Sequence, residues 1–122
     1  EVDAQALWIH RKHAALGHIF GDIPQAVAAA QAQFGQALGV LASDLHCSGE
    51  PFLLGTFTAA DILFVHCLNW AEAIGWLPSS SDAVESTPSG LNPNHVSSLR
   101  AYLDRCRGRD GYQRAQAKKH AV

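Results

Sequence analysis

Residues 58–77 read TAADILFVHCLNWAEAIGWL, a run apolar nearly all round that must be enclosed by other protein if it is helical. It holds Asp61, His66, Asn69 and Glu72, too many polar groups for a membrane span, so a central core helix is predicted. Its start is specified by spacing. With Thr58 as N-cap, the hydroxyl accepts from the Asp61 N–H and the Asp61 carboxylate accepts from the Thr58 N–H, satisfying two donors the helix cannot. Phe57 and Ile62 then occupy the two positions of a hydrophobic staple. Asp61 is thereby accounted for as a folding device before any catalytic role is needed.

Other segments follow helical periodicity. Residues 3–20 predict a first helix with Trp8, Ala15, Leu16, Ile19 and Phe20 on one broad face, closed by Gly21. Asp22 or Ile23 can cap the next, with Pro24 in its first turn. Val27, Ala30, Phe34, Leu38, Leu41 and Leu45 form one stripe of that second helix, which ends at SGEP. The polar, Pro- and Ser-rich stretch from Pro78 to Pro93 predicts a surface loop. Asn92-Pro93 opens a fourth helix with Val96, Leu99, Leu103 and Cys106 inward. Gly108 breaks it, and a short final helix ends in basic residues that suit its dipole. No alternating β pattern is visible. The expectation is an all-α, five-helix bundle over residues 1–122, with a central buried helix at about residues 58–77.

Function classes can be narrowed on charge and cysteine usage. A net charge of -2 with no basic stripe gives no case for nucleic acid or an anionic membrane. Three cysteines, Cys47, Cys67 and Cys106, with no C-x-x-C, fit a reducing, cytoplasmic compartment better than a disulfide framework. His46-Cys47 and His66-Cys67 invite a metal reading, but adjacent helical residues point about 100° apart and zinc spacings are missing, so no metal is expected.

Two blocks carry a family resemblance. PFLLGTFTAADI, residues 51–62, resembles the segment before the central helix of the C-terminal domain of cytosolic glutathione transferases, where P-[FY]-L-x-G-x-x-[ST]-x-A-D-[IL] carries this box and staple. LRAYLDRCRGRDGYQRA, residues 99–115, is similar to the L-x-A-Y-x-x-R-x-x-x-R-P-A-Y-Q-R-A stretch of bacterial members, departing from it where Asp110-Gly111 replaces Pro-Ala. Trp8 falls where many members place a Trp.

The resemblance implies the helical half of a glutathione S-transferase. An N-terminal thioredoxin-like domain, absent from this chain, would bind glutathione and activate its thiol. The helical half would shape the pocket for a small hydrophobic electrophile, and the first two helices would form a homodimer contact. It places His10, Ala14, Gly17 and His18 on or beside a cleft-facing side, with His13 next to them and Tyr112 closing the pocket from the final helix. Without the resemblance, the histidines read first as a solvated or rim-facing helix side and Tyr112 first as packing. No catalytic residue is expected in this chain. A protein-docking module of the same fold, or a glutathione-dependent disulfide reductase or isomerase, stands as the alternative.

Overall fold

The computed structural model describes residues 4–80 and 91–121. These form six α-helices: α1 (Ala4–His10), α2 (Gly17–Phe20), α3 (Pro24–Ser48), α4 (Ala59–Ala73), α5 (Pro93–Arg107) and α6 (Asp110–His120). Among the described residues the only β pairing is two isolated bridges within residues 52–56. The fold is all-α as expected. Residues 81–90 of the polar connection lie outside the described residues.

The count rises to six because the predicted first helix is interrupted. Arg11–Ala15 winds as a π-helix, with the Leu16 N–H reaching the Arg11 carbonyl at 2.9 Å. A wider turn rotates each residue by less than the roughly 100° of an α-helix, so positions beyond Ala15 are displaced around the axis. The predicted apolar face is corrected on both sides of the π-helix. Beyond it Ile19 and Phe20 are exposed and Leu16 is half-buried, and Ala15 at its end is exposed. Ahead of it the packing of α1 on α3 buries Ala6 and Leu7 and leaves Trp8 exposed.

Helix α3 follows its sequence pattern closely. Pro24 occupies the first turn, Ala30, Phe34, Leu38 and Leu45 are buried, and Gly49 ends the helix in the left-handed conformation. Ile23 stands at the N-cap with no side-chain bond. Helices α1 and α5 both pack on α3. At the α3–α5 crossing Gly39 lets the His95 ring approach to where a Cβ would stand 3.4 Å away. Helix α5 starts as predicted: Asn92 Oδ1 accepts from the His95 N–H at 2.9 Å and Pro93 follows. Val96, Leu99, Leu103 and Cys106 are buried, and so is Tyr102, which the stripe did not include.

Helix α4 differs from the expected buried rod in two ways. It stops at Ala73, short of Leu77. The Gly75 N–H donates to the Glu72 carbonyl at 3.2 Å and the Trp76 N–H to the Ala71 carbonyl at 2.8 Å, a Schellman closure with Gly75 at φ 80°. That turn folds Trp76 and Leu77 back into the core. In addition, α4 buries Phe64, Val65, Cys67, Leu68 and Ala71, but Ile62, Leu63 and His66 form an exposed stripe. Periodicity could not separate a rod enclosed by its own chain from one with an apolar face left uncovered.

Candidate functional site

The first turn of α4 is fixed by a buried carboxylate. Asp61 is wholly inaccessible to solvent. Its Oδ2 accepts from the Thr58 N–H at 2.9 Å, and its Oδ1 accepts from the Leu53 N–H at 3.1 Å and the Tyr102 hydroxyl at 2.6 Å. Both halves of the predicted capping box are present, with the Thr58 side chain set toward the Asp61 N–H. That N–H also donates to the Thr58 carbonyl at 3.0 Å, however, and the buried hydroxyl makes no well-formed hydrogen bond. The carboxylate is therefore the working half. Burial, followed by the bond to Asp61, pushes the Tyr102 hydroxyl far above its ordinary pKa and keeps it protonated.

Beside this turn, α4 and α6 diverge and leave a cleft of about 480 Å³. Phe57, Ile62, Val65 and Ala115 give it apolar walls, while His66, Asn69, Arg109, Tyr112 and Gln116 bring polar groups to it. Phe57 packs edge-on against Phe52 with ring centroids 5.4 Å apart, and the Arg109 guanidinium lies over the Phe57 ring at 3.3 Å. The two staple positions, Phe57 and Ile62, thus face one cleft, and Ile62 is 60% exposed. Arg105 fastens the preceding loop to α5 by donating to the Pro51 carbonyl at 2.8 Å.

A polar chain supports the cleft from behind. Arg107 donates to Asn69 Oδ1 at 3.2 Å and 2.6 Å, and Asn69 Nδ2 donates to the Tyr112 oxygen at 3.2 Å. Arg107 also meets Glu72 at 3.1 Å, and Arg100 pairs with the same carboxylate while donating to the Pro78 carbonyl at 2.8 Å. Burial alone would raise the Glu72 pKa, but hydrogen bonds and charge from Arg100 and Arg107 outweigh it and hold the carboxyl below its ordinary value.

The first-helix candidates occupy other places. None of His10, His13, Ala14, Gly17 and His18 lines this cleft, whereas Tyr112 does. The His10 ring packs edge-on to Trp76 at 5.3 Å, and partial burial lowers its pKa. His13 Nδ1 bonds to the Gly21 carbonyl at 3.0 Å, bracing the turn after α2. A Cβ on Gly17 would stand 3.1 Å from the Asp22 Cβ, so this glycine serves the close return of the chain. Ala14 and His18 are exposed. The contact linking the two regions is aromatic: Trp8 packs on Trp70 at 5.3 Å, and Trp70 lies 6.1 Å from His66 on the cleft rim.

Sequence reasoning did not single out Asn69, His66, Arg107 or Arg109 for the site. A signal existed for Asn69 and Glu72, since polar groups inside an apolar helix need partners. Among the described residues no group of three or more His, Cys, Asp or Glu could hold a metal ion, and no helix is long and apolar enough to cross a membrane.

A family model described as glutathione S-transferase, C-terminal domain, matches residues 24–105. No curated protein and no solved structure matches the chain.

Proposed function

Because the chain belongs to the glutathione S-transferase C-terminal domain family, we propose that it is the helical, electrophile-binding half of a cytoplasmic glutathione S-transferase of the bacterial type it resembles. In the intact protein an N-terminal thioredoxin-like domain binds glutathione and lowers its thiol pKa by hydrogen bonding to the thiolate. The thiolate then attacks a small hydrophobic electrophile. This chain's part is to bind and orient that electrophile, through the apolar walls of the α4–α6 cleft and the Tyr112 hydroxyl at its edge.

The observation that carries this reading is the uncovered apolar stripe of α4 beside the cleft. Ile62 and Leu63 are 60% and 68% exposed on a helix otherwise packed into the core. Burying such groups is worth roughly 1.5–3 kcal/mol for each full side chain, so a second domain seated there gains substantially. His10, His13, Ala14, Gly17 and His18 are the positions proposed to look toward the glutathione domain, and the outer side of the first two helices is the proposed homodimer contact.

The test is retention of the intact protein on immobilised glutathione together with conjugation of an aromatic halide. Both should be observed, and the 122-residue chain alone should show neither. Co-purification of a protein partner in the absence of both activities would favour a docking module. Reduction of a glutathione mixed disulfide without conjugation would favour the reductase.

A further inference from the structure

We propose that the α4–α6 cleft selects planar aromatic anions, an aryl carboxylate being the simplest, with Arg109 as counter-ion and the Tyr112 hydroxyl as an aimed donor. This names the ligand class of the cleft used in the reading above and rests on that cleft, but not on glutathione chemistry.

The aim of Tyr112 follows from Arg107. A guanidinium has only donors, so the Asn69 atom that meets it from two directions must be the amide oxygen. The Asn69 NH₂ is thereby turned toward Tyr112 and can only donate, which makes the Tyr112 oxygen the acceptor at 3.2 Å. The Tyr112 proton must then point elsewhere, and among the described residues no acceptor takes it. Tyr112 lines the cleft, and that is the space left to its O–H. Glu72 and Arg100 anchor the chain from the other end, and each donation along it strengthens the next donor.

Charge and shape complete the recognition. Arg109 lays one face on Phe57, which leaves the N–H edge of its fork available in the plane of a carboxylate. It makes no ion pair among the described residues, whose ion pairs both involve Glu72. Asp110 follows it in sequence but does not line the cleft, and no other carboxylate does. Phe57 offers a flat aromatic wall and Val65 an aliphatic one, so a bare inorganic anion would leave them wet while a ring would cover them.

The probe is 2-naphthoate compared with its neutral isostere 2-naphthamide, titrated into the full chain and followed by amide NMR including the Asn69 side-chain NH₂. Naphthoate should shift resonances around the cleft and bind about tenfold more tightly than the amide. Arg109→Gln should bring the two ligands within about twofold, and Arg109→Lys should retain a preference for the anion. Tyr112→Phe should weaken naphthoate about threefold to tenfold with an unchanged helical circular dichroism spectrum. Equal binding of the two ligands, shifts confined to other surfaces, or a preference unchanged in Arg109→Gln would each overturn the proposal. Conjugation by the intact protein without any anion preference would sink this inference and leave the transferase reading standing. Anion-selective binding with no glutathione retention would do the opposite.

Discussion

The Tyr102 hydroxyl donates to Asp61 Oδ1 at 2.6 Å, linking α5 to the first turn of α4 through residues 41 positions apart. Both side chains are buried, so neither can exchange this partner for water. Tyr102→Phe removes the donor and little else. A bond to a charged acceptor of this kind should cost about 2 kcal/mol in urea unfolding. A loss under about 0.5 kcal/mol would show that Leu53 and Thr58 suffice for the carboxylate.

Gly75 closes α4 at φ 80°, with no heavy atom within 4 Å of where a Cβ would sit. Gly75→Ala therefore meets no clash and carries only the backbone penalty, expected at about 1 kcal/mol. The thermal midpoint should fall while the near-ultraviolet signal of Trp76 stays native. An unchanged midpoint would mean that the closure contributes nothing.

The three thiols should separate cleanly in reactivity. Cys47 is exposed, while Cys67 and Cys106 are buried and burial raises both of their pKa values. One thiol per chain should react rapidly with a disulfide reagent at pH 8. The other two should be slower by on the order of a hundredfold until denaturant is added. Two or more fast thiols in the native state would contradict the packing of α4 against α5.

Acid should destabilise the fold in two stages. Burial lowers the His10 pKa below its ordinary 6.5, so below that pH the unfolded chain takes up the proton first. The stability linked to His10 is complete above about pH 6.5 and is lost as pH falls through the lower native value. The Glu72 pKa lies below its ordinary 4.5, so its contribution is kept above that pH and lost beneath it. The second step should be modest, because the Glu72 side chain is 37% exposed and its ion pairs are screened. Comparing urea midpoints at pH 7.5 and 5.5 should show a smaller drop for His10→Phe than for the parent, and equal drops would exclude His10.

Local sequence rules reached far in this chain. The α3 stripe, the Asn92 cap and the Gly49 stop depend on neighbours within one or two turns, and spacing alone reveals those. The stop at Gly75 was not read, because the apolar Trp76-Leu77 that follows it looks like continued helix until the reversal is known. The π-helix at Arg11–Ala15 left no local mark, because a widened turn is imposed by packing and not by any residue type. The cleft was least visible. Asn69, Arg107 and Tyr112 come from three helices, and only tertiary folding shows that they form one chain of donors.

Asp61 also bears on the order in which the molecule assembles. Its donors arrive from the loop at Leu53, from its own helix start at Thr58, and from α5 at Tyr102. A carboxylate stripped of water before all three are present is a buried charge without compensation. The loop and both helices are thus obliged to dock in a single concerted step, and an α4 nucleus that forms early stays hydrated at its N-terminus until α5 arrives. Tyr102→Phe should then slow folding and leave the unfolding rate nearly unchanged, the signature of a contact already made at the summit of the barrier.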